Sequence, residues 1–167
     1  MSWRTVGLDS VAATPWRNGG GVTRELLAWP SPADWTIRLS VADVERDGPF
    51  SSYPGVERWF AVLSGQGVRL RLGGKALELT ARSEPFRFDG AVPVDCELLD
   101  GPTRDFNLMV RKGRARMGRS RGADSFQGSA GTLVAVYAGG TLLWRILDRE
   151  ERIELPAADS LWMEIAP

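Results

Sequence analysis

A period-two alternation of apolar and polar residues runs through most of this chain and rules out most other folds. In Trp35-Thr36-Ile37-Arg38-Leu39-Ser40-Val41, residues 35, 37, 39 and 41 share one apolar face, while Thr36, Arg38 and Ser40 take the other. Only an extended strand sends successive side chains to opposite faces. The pattern returns at 68–72, 77–79, 94–98 and 106–110, then at 132–138, 142–147 and 161–165. Asp47-Gly48-Pro49, Tyr53-Pro54-Gly55, Gly73-Gly74 and Asp100-Gly101-Pro102 separate the runs. Gly supplies unusual φ, Pro presets it, and Asp bonds its own following backbone, so each of these reads as a turn. Many short strands at near-regular spacing predict an all-β antiparallel barrel or sandwich with little helix. Single helical turns are expected at most at 83–86 or 157–160.

The chain has 167 residues, enough for one compact unit with a substantial core. Lys plus Arg and Asp plus Glu are equal at 21 each, so no global positive field favours nucleic acid. Charge interrupts every apolar run, which argues against a membrane span, and the N-terminal residues lack a signal-peptide layout. A cytoplasmic protein is expected. Cys96 is the only cysteine and histidine is absent. The first fact excludes an intrachain disulfide. The second removes the usual general base near neutral pH, any Cys/His zinc site and any Ser-His-Asp or Cys-His triad within one chain.

Residues 15–25, Pro-Trp-Arg-Asn-Gly-Gly-Gly-Val-Thr-Arg-Glu, are the most distinctive local motif. Three consecutive glycines suit a tight turn into a strand, or a place where backbone must approach something closely. No Gly-Lys-Ser/Thr follows, so this is not a phosphate loop. Residues 112–131 are the one shift in composition, rich in Arg, Gly and Ser. With only Phe126 as an aromatic neighbour, this stretch reads as an exposed, solvated connection rather than a nucleic-acid surface. The expected organisation is a principal half over about 1–111, the connection at 112–131, and a smaller β half at 132–167.

Several segments, in order, resemble the HutD/Ves family of cupin-like proteins. They are residues 15–25, Trp-Thr-Ile-Arg-Leu-Ser at 35–40, Asp-Gly-Pro-Phe-Ser-Ser-Tyr-Pro-Gly-Val-Glu-Arg at 47–58, Val-Leu-Ser-Gly-Gln-Gly at 62–67, Asp-Gly-Pro at 100–102 and Asp-Phe-Asn-Leu-Met-Val-Arg at 105–111. The C-terminal third resembles the family only in its strand pattern. The resemblance implies a bicupin fold of the RmlC-like jelly-roll type. For part of the family it also implies a link to histidine utilisation, with a regulatory role and formylglutamate binding proposed, and for other members only a stress-response label. No established enzyme activity comes with it. Metal cupins carry a His-x-His pair and a Glu before a glycine turn. Counting back from Gly65, the Glu position falls near Arg58 and the His positions among Ser51, Ser52, Tyr53 and Pro54. A permanent cation in place of a carboxylate would repel a divalent metal and attract an anion.

The candidate pocket residues are Asn18, Arg24, Arg38, Ser40, Arg58, Asp105 and Asn107. Arg38 and Ser40 share one strand face, and Arg58 shares another with Phe60 and Val62. Guanidinium forks suit carboxylates, and Asn18 and Asn107 suit an amide or formyl group. Surface ion pairing is the competing role for each arginine. Turn capping or holding an arginine is the competing role for Asp105, and Glu25 could hold Arg24. The favoured expectation is a non-catalytic binder of a small carboxylate metabolite, without metal or cofactor, with a homodimer left open. Two alternatives stand: a metal-free cupin isomerase or hydrolase using Asp105 or Glu25 as base and Tyr53 as acid, and an interaction module using the Arg-rich stretch.

Overall fold

The computed structural model describes residues 2–167, and more than half of them lie in antiparallel strands. The strands are β1 (Arg4–Gly7), β2 (Thr14–Pro15), β3 (Gly21–Trp29), β4 (Ile37–Val44), β5 (Gly48–Pro49), β6 (Glu57–Ser64), β7 (Val68–Leu72), β8 (Lys75–Leu79) and β9 (Phe86–Asp89). They continue with β10 (Asp95–Leu98), β11 (Thr103–Val110), β12 (Arg114–Ser120), β13 (Ser125–Gly128), β14 (Leu133–Ala138), β15 (Thr141–Ile146), β16 (Glu151–Glu154) and β17 (Ser160–Ala166). A single 3-10 turn, Leu8–Ser10, is the only helical element among the described residues. The helical turns expected at 83–86 and 157–160 do not form. Gly48–Pro49, expected purely as a turn, is long enough to pair with β10.

The chain divides into two compact units. One comprises 12–111 and the other 2–11 with 112–167. In the first, a six-stranded sheet ordered β2-β3-β4-β11-β6-β9 packs with a four-stranded sheet ordered β5-β10-β7-β8. Val44, Phe60, Val62, Val68, Leu70, Leu79, Phe88, Val94 and Cys96 from both sheets form one buried cluster. Burying a side chain the size of Phe60 stabilises the fold by about 1.5–3 kcal/mol. In the second unit, a five-stranded sheet ordered β1-β15-β14-β17-β12 accompanies the β13-β16 pair, and Phe126, Val134, Val136, Leu147, Ile153 and Leu155 make its core.

Two expectations about organisation are corrected. The N-terminal residues group with the C-terminal unit, because β1 pairs with β15 from Arg4↔Trp144 to Gly7↔Thr141. Residues 112–131 are not a solvated connection, since they contain β12, which pairs with β17 along its whole length, and β13, which pairs with β16. Two arginines in and beside this region have partners within the fold. Arg116 pairs with Glu164, donates to the Gln127 carbonyl and lies over Trp162, while Arg111 lies 4.0 Å from the Trp35 ring centroid. Arginine stems cover apolar surface while their heads reach acceptors, so a basic run can be strand as readily as loop.

The triple glycine combines a turn with a close approach. Gly19 has φ +72°, and a Cβ on Gly21 would lie 2.3 Å from the Asp43 carbonyl oxygen on β4. Gly21→Ala is therefore expected to destabilise the protein by about 1–3 kcal/mol through forced backbone displacement. Gly122→Ala, where no atom lies within 4 Å, should stay within about 0.5 kcal/mol of the parent. Urea unfolding of the two variants checks this; equal stability would show that the β3–β4 approach relaxes freely.

Candidate functional site

The central strands of the six-stranded sheet bury one face, and the other, which carries Val44 and Phe60 of the apolar cluster, also lines a cavity. On β4, Ile37, Leu39 and Val41 are fully buried, and the alternate residues Arg38, Ser40, Ala42 and Val44 line a cavity of about 550 Å³. That volume is in the usual range for a small-molecule site. Register aligns the lining in rungs. Arg38 on β4 lies opposite Met109 on β11, which lies opposite Arg58 on β6. The next rung is Ser40, Asn107 and Phe60. Two strand spacings separate Arg38 from Arg58, so their backbones stand about 10 Å apart.

Arg58 is the most unusual group in this unit. It is 6% exposed, and its side chain is surrounded by aromatic rings: the Phe88, Tyr53 and Phe50 centroids lie 5.0, 5.4 and 5.5 Å from the guanidinium carbon. Nη1 donates to the Ser51 carbonyl at 3.1 Å, whereas the buried Nε has no acceptor. No carboxylate pairs with it among the described residues. Burial pushes its pKa down to about 10, the Tyr53 hydroxyl opposes that shift, and the Arg38 charge adds to it. At neutral pH it remains a cation. A buried, unneutralised charge is costly, and the usual remedy is a counter-ion.

Arg38 is held differently. Its Nε lies 2.8 Å from Glu25 Oε1, yet the N–H does not point at that oxygen, so the contact is an ion pair without a hydrogen bond. Asn18 enters the lining from the glycine turn, where its Oδ1 accepts from the Gly20 amide at 2.8 Å. The Trp16 indole donates to Thr23 Oγ1 at 2.8 Å and fixes the β2–β3 wall.

Asn18, Arg38, Ser40, Arg58 and Asn107 thus line one cavity. Arg24 does not. It points to the opposite sheet face and bonds Asp43 Oδ2 at 3.0 Å, where Arg104 joins the same carboxylate. Asp105 is also outside the lining. It is fully buried one rung below Asn107, opposite Val62, and accepts from Thr103 Oγ1 at 2.8 Å, with Oδ1 unpartnered. Glu25 holds Arg38 rather than Arg24, because adjacent strand residues face opposite ways: Glu25 lies opposite Ser40, on the face that carries Arg38, and Arg24 lies opposite Val41. Sequence reasoning left Phe50 out of the site, and considered Tyr53 as an acid and as one of the positions of the metal-cupin histidines, but not as a ring against Arg58. Their position before the β6 arginine was the available signal.

The ligand positions of metal cupins are unsuited to a cation. By the count from Gly65 they fall among Ser51, Ser52, Tyr53 and Pro54 and near Arg58, of which Ser51, Tyr53 and Arg58 line the cavity, and no group of three Asp, Glu or Cys side chains converges anywhere among the described residues. A divalent metal does not fit this donor set. The Cys96 thiol is no nucleophile either, since burial and then the Asp105 charge push its pKa up to about 12.

These features define a protein of cupin-like β fold, and similarities to solved structures agree. The HutD protein of Pseudomonas fluorescens SBW25, solved in a formate condition, superposes with a TM-score of 0.87 at 27% identity, covering 99% of this chain and 98% of that one. A conserved protein of unknown function from Pseudomonas aeruginosa PAO1 gives 0.85 at 32% identity with the same coverage. In sequence, protein Ves of Cronobacter sakazakii is 36% identical over 153 residues, 89% of this chain and 81% of that protein. A 21.2 kDa protein encoded in the hutC 3′ region of Pseudomonas putida is 35% identical over 81% of this chain and 74% of its own length. The HutD family model matches residues 8–167, and the chain belongs to that family.

Asp105 supplies a prediction. Burial pushes its pKa up to about 7; the Thr103 hydroxyl opposes that shift and the Asp43 charge adds to it. The folded protein therefore binds this proton more tightly than the unfolded chain does, and stability falls as pH rises from about 4 to about 7. The loss is of order 4 kcal/mol if the shift is fully expressed. Asp105→Asn should remove that slope and be the more stable form at pH 8. Urea midpoints of both proteins at pH 5, 6, 7 and 8 test this; parallel curves would refute the buried neutral carboxyl.

Proposed function

We propose that the cavity binds a small organic dicarboxylate or acylated amino acid, and that the protein is a non-catalytic, metal-free binder acting in the cytoplasm. One observation carries this reading: Arg58 is a buried cation, facing a cavity, with no carboxylate partner. An anion with planar, paired oxygens matches the guanidinium fork. Arg38 stands on the same rung for a second acidic group. Ser40, Asn107 and Asn18 offer donors and acceptors between and beside the two arginines. The gene neighbourhood of the Pseudomonas putida relative, beside hutC, supports a regulatory role in histidine utilisation, and formylglutamate fits the chemistry of two carboxylates and an acyl amide.

The position of Asp105 weakens the enzymatic alternative. It lies outside the cavity lining, and Glu25, the other base considered, is engaged with Arg38. Arg58→Met should weaken glutarate binding by about 2–5 kcal/mol, since a desolvated charge pair is lost. Arg114→Met, at an exposed position on β12, should change it by well under 1 kcal/mol. Isothermal titration calorimetry separates the cases. Equal affinity of parent and Arg58→Met, or no binding by the parent, would reject the reading.

A further inference from the structure

The cavity contains a carboxylate of its own, and its attachment is weak. Glu25 makes one recorded contact, the ion pair to Arg38 Nε, and that contact lacks hydrogen-bond geometry. The two side chains are 39% and 23% exposed, so water screens the pair. Glu25 lies opposite Ser40 on β4, within reach of the rung that carries both arginines. Arg58, by contrast, is free to take a carboxylate at once.

A ligand with one carboxylate can satisfy Arg58 but offers nothing to replace Glu25. A ligand with two, anchored at Arg58, presents its second carboxylate to Arg38 at high effective concentration. There it can form the aligned N–H···O contacts that Glu25 does not make. We propose that Glu25 is a specificity-determining residue that acts by exchange: the second carboxylate of a dicarboxylate ligand takes its place on Arg38. This rests on the reading of the cavity as an anion site and assigns the mode of selection within it. Glu25 thus lowers affinity for the correct ligand slightly, and keeps Arg38 from capturing other anions.

The test is calorimetry with glutarate and butyrate on the parent, Glu25→Gln, Arg38→Met and the double variant, with thermal unfolding to confirm that each is folded. Glu25→Gln should bind glutarate about fivefold more tightly, with butyrate changed less than about twofold. In the Arg38→Met background the same substitution should have no effect on glutarate, because the gain passes through Arg38. Unchanged or weaker glutarate binding in Glu25→Gln would overturn exchange and make Glu25 a prop for Arg38. A gain that persists without Arg38 would overturn it as well, in favour of general charge repulsion. Failure of the underlying anion-site reading shows up separately, as glutarate binding that is absent from the parent or survives Arg58→Met, and the exchange proposal falls with it.

Discussion

A guanidinium buried without a counter-ion is the constraint around which the first unit is arranged. Arg58 is tolerated inside the β framework because the Ser51 carbonyl accepts from Nη1 and the Phe50, Tyr53 and Phe88 rings offer their electron-rich faces to the charge. Neither arrangement neutralises it. The rung that sets Arg58 and Arg38 on either side of Met109 brings a second positive charge close enough to lower the pKa of the first. A site with this field is prepared for negative charge and poorly suited to a metal ion.

The carboxylates of the same unit are distributed to leave that field intact. Asp43, on the other face of β4, is shared by Arg24 and Arg104; the hydrogen bond from Arg104 is the main reason its pKa lies below the usual carboxylate range. Asp105 is inside, but its burial favours the neutral acid. Glu25 alone reaches the cavity as a charge. One inward carboxylate against Arg38 and Arg58 leaves the cavity net positive, which is an electrostatic property of its lining and independent of the balanced charge of the whole chain.

The second unit uses its charges for structure. Glu164 on β17 is buried, accepts from the Ser129 amide at 2.7 Å, and takes Arg116 from β12. Beside it, Trp162 stacks on Phe126 with centroids 4.7 Å apart, and the indole covers Gly118, where a Cβ would come within 2.6 Å. The glycine and arginine content that suggested a loose connection is here a packing requirement. Gly118 makes room for a ring, and Arg116 satisfies a buried acid.

Period-two alternation was enough to indicate the fold class, many of the strands and the shared strand face of Arg38 and Ser40, because successive side chains in a strand point to opposite faces. The ordered motifs through residues 14–111 were enough to indicate the family. Pairing and register were beyond it. That Arg38 and Arg58 share a rung depends on β11 lying between β4 and β6, and residues far apart in the chain decide this. Arg24 and Glu25 are adjacent, yet one serves the outer face and the other the cavity, as any alternating pair must. Which face was the cavity, and which arginine Glu25 would meet, only the assembled sheet could decide. The same holds for β1 and β12. Local sequence made them extended or basic, and their partners β15 and β17 made them part of a sheet.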